Sequence, residues 1–177
     1  MPATKRILHR ANASNKRMRR TPMYLKPETK YFNQNVPTGS AVSRTVNCCR
    51  MDAGTGVSER IGRKITLKSV GYMLTVSGNT RIRCILYVPK DQSDELVLSG
   101  ANDAVENDKF WVIHDKLWDP NGSATVAQHN HRFPMGMGVE YGGPLGDDIN
   151  RNGVRLAVVT PGAASANGHT KIWYADN

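Results

Sequence analysis

The chain has 177 residues, 39% of them hydrophobic, and a formal net charge of +9. That is long enough for one domain with a real core plus a tail. No window approaches the roughly eighteen consecutive apolar residues of a membrane span, so a membrane partner is not expected.

The charge is unevenly spread. Residues 1–30 hold nine Lys and Arg against the single acid Glu28, a net +8, while the remainder is close to neutral at +1. A neutral body carrying a basic tail is the pattern of a protein that binds a polyanion through the tail. Two clusters stand out, Lys5-Arg6 and Lys16-Arg17-Met18-Arg19-Arg20, separated by small polar residues. Such a one-signed segment self-repels and is expected to stay disordered until bound. Lys5, Arg6, Arg10, Lys16, Arg17, Arg19, Arg20, Lys26 and Lys30 are assigned to phosphate neutralisation. The same clusters also suit a nuclear import signal. No apolar h-region follows the first basic residues, so a secretory signal is not expected.

Residues 21–47 contain Pro22, Pro27 and Pro37 with Tyr24, Tyr31 and Phe32 between them, which reads as extended linker or early strand. These aromatics would either stack on bases beside Lys26 and Lys30 or tuck the arm against the body. Val42–Val46 is a candidate short strand. The division that follows is an arm and linker over 1–47 and a folded domain over 48–177.

Gly54–Lys64 is a polar loop carrying Arg60, Arg63 and Lys64, three further candidates for a nucleic-acid-facing rim. Ile65–Ser77 alternates with Ile65 and Leu67 on one face, then shifts phase to Val70, Tyr72, Leu74 and Val76. That slip predicts a bulge near Ser69–Gly71. Ser77-Gly78-Asn79 is a turn signal, and Arg81–Val88 follows with Ile82, Cys84, Leu86 and Val88 on one face. The two strands read as a hairpin. Pro89–Asp108 is acidic and loop-like, with Leu96-Val97-Leu98 as a short strand. Lys109–Trp118 is rich in aromatic and β-branched residues and reads as a strand. Ala124–Tyr141 holds one or two more, punctuated by Pro134, Gly136 and Gly138. Gly142–Asn152 turns the chain, and Val154–Thr160 and Thr170–Tyr174 close the set. Seven or eight short strands with no convincing helix predict an all-β sandwich.

Catalytic signals are absent. No nucleophile-elbow sequence occurs, and Gly54-Thr55-Gly56 lacks the Lys-Ser/Thr of a phosphate-binding loop. An enzyme is therefore not expected. His129 and His131 share a face without further ligands at a recognisable spacing. No cofactor is expected, although Asp94, Glu95, Asp103, Asp147 or Asp148 would suit a divalent cation at a subunit contact. The three cysteines, Cys48 and Cys49 adjacent, form no disulfide framework and are expected to stay reduced.

The phrase from Gly54 to Ser69, GTGVSERIGRKITLKS, resembles a signature of small single-jelly-roll capsid proteins from circular, replication-initiator-encoding single-stranded DNA viruses. It is similar also to the coats of satellite tobacco necrosis virus-like RNA satellites. Further stretches match in the same order: Arg81–Val88, Asp108–Lys116, Gly138–Tyr141, Asn152–Val159 and Ile172–Asn177. His114 stands where the family usually has tyrosine. The resemblance implies an eight-stranded jelly-roll β-sandwich with a basic N-terminal arm. It also implies sixty copies in the smallest icosahedral shell and a lumenal arm that packages a single-stranded genome. The expected location is the virion, with the host nucleus during assembly expected from the basic clusters. Single-stranded DNA is the expected cargo; a satellite-type RNA coat, or a cellular nucleic-acid-binding β-domain with a basic tail, are the alternatives.

Overall fold

A computed structural model describes residues 28–36, 43–56, 58–78, 80–119, 125–160 and 164–176. The described residues contain no helix. They form nine strands: β1 (Lys30–Val36), β2 (Ser43–Asn47), β3 (Lys64–Gly78), β4 (Ile82–Pro89), β5 (Phe110–Trp118), β6 (Thr125–Tyr141), β7 (Ile149–Arg151), β8 (Arg155–Val159) and β9 (Ser165–Asp176). One sheet has the order β1-β9-β3-β6-β7 and the other β2-β8-β4-β5. Every neighbouring pair is antiparallel. The described residues thus form an all-β sandwich.

The pairing is nested. β1 pairs with β9, β2 with β8, β3 with β6 and β4 with β5, while the three-residue β7 touches only the end of β6. Two further pairings, β3 with β9 and β4 with β8, lay these ribbons side by side. Alternate positions of both sheets fill the space between them: Ile65, Leu67, Val70, Tyr72 and Leu74 from β3, Cys84 and Leu86 from β4, Leu156 and Val158 from β8, and Ile172 and Tyr174 from β9. Since β1 and β2 are sheet strands, the folded body starts at least as early as Lys30 and takes in part of the segment assigned to arm and linker.

The bulge is where the alternation requires it. The register of β3 slips between Leu67 and Ser69 against both neighbours, so Leu67 and Val70 both face the core. The expected β3–β4 hairpin does not form. Both edges of β3 are taken by β6 and β9, and the turn at Ser77–Gly78 instead carries the chain across to the second sheet. Gly78 has φ of 141°, and a Cβ there would lie 2.6 Å from the Ala164 Cα, so the crossing admits only glycine.

Leu96-Val97-Leu98 is not a strand. Its alternation is real, but Leu96 and Leu98 lie on the outer face of β4 and β8 with Ile85, Tyr87, Phe110, Ala157 and Val159. The Leu96 amide donates to the Tyr87 hydroxyl at 3.2 Å. This cover explains why β4 is buried on both faces where one was expected. β6 runs as a single strand through Pro134, which faces Ser69 at the bulge on a strand whose far edge is unpaired at that level. The Gly142–Asn152 turn includes β7.

Candidate nucleic-acid interface

Lys5, Arg6, Arg10, Lys16, Arg17, Arg19, Arg20 and Lys26 lie outside the described residues. Lys30, Arg60, Arg63 and Lys64 lie within them, and their surroundings differ sharply. Arg60 is 1% exposed. Its guanidinium donates to the carbonyls of Met51 (3.1 Å), Gly62, Gly143 and Leu145 (3.5 Å) and lies 3.8 Å above the Tyr141 ring. It is therefore a lock between the 50s loop and the 142–146 turn, with every guanidinium nitrogen engaged and the group buried away from any phosphate. This corrects its assignment to a nucleic-acid rim: the residue sits inside a polar loop whose carbonyls would otherwise be buried unpaired.

Lys30 is likewise committed. Its ammonium meets Asp176 at 2.9 Å and the Glu59 carbonyl at 3.3 Å, tying the start of β1 to the end of β9. Lys64 is exposed and paired with Glu140 at 2.9 Å, an ion pair that holds the Glu140 carboxyl below its ordinary pKa through the hydrogen bond and charge of the lysine. Arg63 is exposed. Of the four, Arg63 and Lys64 remain accessible to a ligand.

A second basic surface, unforeseen from sequence, lies on the outward face of the β1-β9-β3-β6 sheet. Lys171 and Trp173 alternate with the buried Thr170, Ile172 and Tyr174 on β9, so both point outward. Tyr31 is the register partner of Trp173 and is 47% exposed, whereas Phe32 turns inward against the core. The Lys171 ammonium stands 4.4 Å from the Tyr31 ring centre and 5.3 Å from that of Trp173. From β6, the exposed Arg132 reaches back over β3 to lie 3.9 Å above Trp173, its Nε donating to the Ser69 hydroxyl at 3.0 Å. Lys68 is exposed at the bulge. Along the described strands of this face the one outward acid is Glu140, already paired with Lys64.

The opposite side of the molecule carries the other sign. Residues 91–108, which cover the outer face of β4 and β8, contain Asp91, Asp94, Glu95, Asp103, Glu106 and Asp108 and no Lys or Arg. Arg83 and Arg155 pin this segment from below through its carbonyls at Ala101, Asp103, Asp94 and Gln92. Among the acids considered for a cation, Asp103 accepts from the amides of Ser99 and Gly100 (2.7 and 2.8 Å), and Asp147 pairs with Arg50 at 2.9 Å. Among the described residues no three metal-ligating side chains converge within one chain. The body is therefore polarised, with a basic and aromatic sheet face on one side and an acidic cover on the other.

The signal for Lys171 and Trp173 was legible as alternation, but their meeting with Tyr31 and Arg132 spans about 140 residues of chain and depends on strand order. Comparison of the chain with models of known protein families and with curated proteins gives no match.

Proposed function

We propose that the chain is a viral coat protein that self-assembles into a small icosahedral shell and packages single-stranded nucleic acid. The cargo is DNA by the resemblance of Gly54–Ser69 and the stretches that follow it. The observation that carries the reading is the nested pairing. With the short β7 set aside, the strand order supports a jelly roll: two four-stranded sheets made by rolling up one long antiparallel ribbon, an architecture common in capsids. Jelly rolls serve other roles as well, so the charge pattern has to discriminate. A body basic on one face and acidic on the other suits a subunit with a defined inside and outside. The tail adds about +8 per copy, and sixty tails would bring roughly 500 positive charges to an enclosed genome.

Contact between copies has support of its own. β5 is an edge strand, and Trp111, Val112 and Leu117 on it are 55%, 38% and 41% exposed. An open edge carrying large apolar side chains is a surface that natural proteins cover. Phosphate contacts by the arm would be independent of sequence and weaken with salt.

Negative-stain microscopy and sedimentation of the full chain test the reading. Shells about 20 nm across with nuclease-protected nucleic acid are expected. Deleting residues 1–20 should keep the shell and lower its nucleic-acid content. Monomers at every concentration would refute the coat reading, and undiminished packaging after the deletion would refute the role of the arm.

A further inference from the structure

We infer that the outward face of the β1-β9-β3-β6 sheet is a base-stacking site for single-stranded nucleic acid, built from Tyr31, Lys171, Trp173 and Arg132. The inference rests on the chain being a nucleic-acid-binding protein, and adds a second mode of contact to the arm's phosphate neutralisation.

The geometry follows from small residues in the right row. Tyr31 and Trp173 are directly opposed on β1 and β9, which sets their Cβ atoms about 5 Å apart. On β3 the neighbouring outward positions are Ser69 and Gly71, partners of Trp173 and Lys171. These short residues leave a trough across which Arg132 can lie. The trough is enforced at Gly71, where a Cβ would come within 2.5 Å of the His131 carbonyl oxygen. The result is a continuous layer in which ring, ammonium, ring and guanidinium succeed one another over three strands.

Charge and chemistry select the occupant. Ion pairs do not explain why the cations are there: Lys171 and Arg132 lie over aromatic rings, and the face offers no free acid along its described strands. A polyanion without bases would use the cations and ignore the rings. Single-stranded nucleic acid uses both, since every base has a π-face and stacks on aromatic rings or on a guanidinium plane. The Tyr31 ring is open to one base, the outer plane of Arg132 backed by Trp173 takes another, and the Lys171 ammonium between them faces the connecting phosphate. Residues 1–27 join the described chain beside β1, an edge strand of this same sheet. A strand gathered by the arm is thereby delivered to the platform.

The test uses the full chain and two probes of similar charge, an oligothymidylate of about ten nucleotides and inorganic polyphosphate. Tyr31→Leu and Trp173→Leu keep an apolar cover on the sheet and remove the ring. Each should weaken oligothymidylate binding about tenfold while leaving polyphosphate binding unchanged. Quenching of tryptophan emission by the oligonucleotide should disappear in the Trp173 variant, which retains Trp111 and Trp118. Tyr31, half exposed on an edge strand, keeps the test decisive if the Trp173 variant does not fold. Equal loss on both probes, or none on either, overturns the platform and leaves the coat reading intact. Variants that bind normally but no longer assemble would mean that the face meets another copy, and also overturn it. A wild-type chain that binds neither probe overturns the nucleic-acid reading itself.

Discussion

Arg60 offers the sharpest test of how this chain divides its positive charge between fold and ligand. Replacing it with alanine removes a planar donor set that satisfies carbonyls from Met51, Gly62, Gly143 and Leu145 and caps the Tyr141 ring. Hydrogen bonds from a charged donor contribute about 1.5–3 kcal/mol each, and a buried cation–π contact contributes about 1–2 kcal/mol. These terms do not add, because water entering the vacated space will serve some of the carbonyls. A loss of about 3–5 kcal/mol is the expected total. For a chain of this size that lowers Tm by roughly 10 °C. Arg60→Lys keeps the charge but cannot reach four carbonyls from one ammonium, so it should fall between the two. Thermal and urea unfolding measure the loss, and oligonucleotide titrations at several salt concentrations measure the alternative. If Arg60→Ala unfolds within about 2 °C of the wild type and reduces the salt slope of binding by about one, the buried-lock account is wrong and the residue returns to the phosphate.

Two further expectations follow from titratable groups in or beside the core. Desolvation, and then the positive potential of His131 with its ring 5.0 Å away, hold the His114 imidazole below its ordinary pKa, with Asp115 pulling the other way and Lys116 adding to the depression. The unfolded chain therefore takes up this proton at higher pH than the folded one. Stability should be fully present above about pH 6.5 and decline as pH falls below it. His114→Phe, packing against Phe133 as the imidazole does at 4.7 Å, should flatten Tm between about pH 7 and pH 5; an unchanged slope would clear His114 of the effect. Cys48, Cys49 and Cys84 are all buried and free, and burial pushes their thiols up, Cys49 to about 11. Native protein should resist a thiol reagent near pH 8 and yield three reactive thiols on denaturation; labelling of the native chain would show that the core opens at those positions.

Much of this architecture is written in local pattern. The phase slip in Ile65–Val76 carries its bulge to within a residue or two, because period-2 burial leaves no other way to keep both Leu67 and Val70 inside. What local pattern could not carry is partnership. Ser77-Gly78-Asn79 says that the chain reverses, but whether β4 takes the edge of β3 depends on β6 and β9, which follow 47 and 87 residues after Gly78. Leu96 and Leu98 alternate as a strand would, yet their partner is a sheet face instead of a sheet edge. The misassigned cation has the same origin. Arg60 sits in a run of polar residues and reads as exposed, and only the distant Gly143 and Leu145 carbonyls reveal what it serves.

These cases share a physical rule about where cations in such a body are free. In loops and turns, backbone carbonyls have no ladder partner, and burying them demands donors. Arg60, Arg83 and Arg155 each answer that demand, with two or more carbonyls apiece. On the sheet face the carbonyls between neighbouring strands are already paired, which leaves Lys68, Lys171 and Arg132 less backbone to serve. Two of them settle over aromatic rings instead, with their outward sides in solvent. Availability to a polyanion therefore tracks backbone satisfaction more closely than it tracks the count of Lys and Arg in a stretch. By that rule Arg60 in the loop Gly54–Lys64 serves architecture, whereas Arg63 and Lys64 stay at the surface and Lys171 and Arg132 keep an outward side on the sheet face.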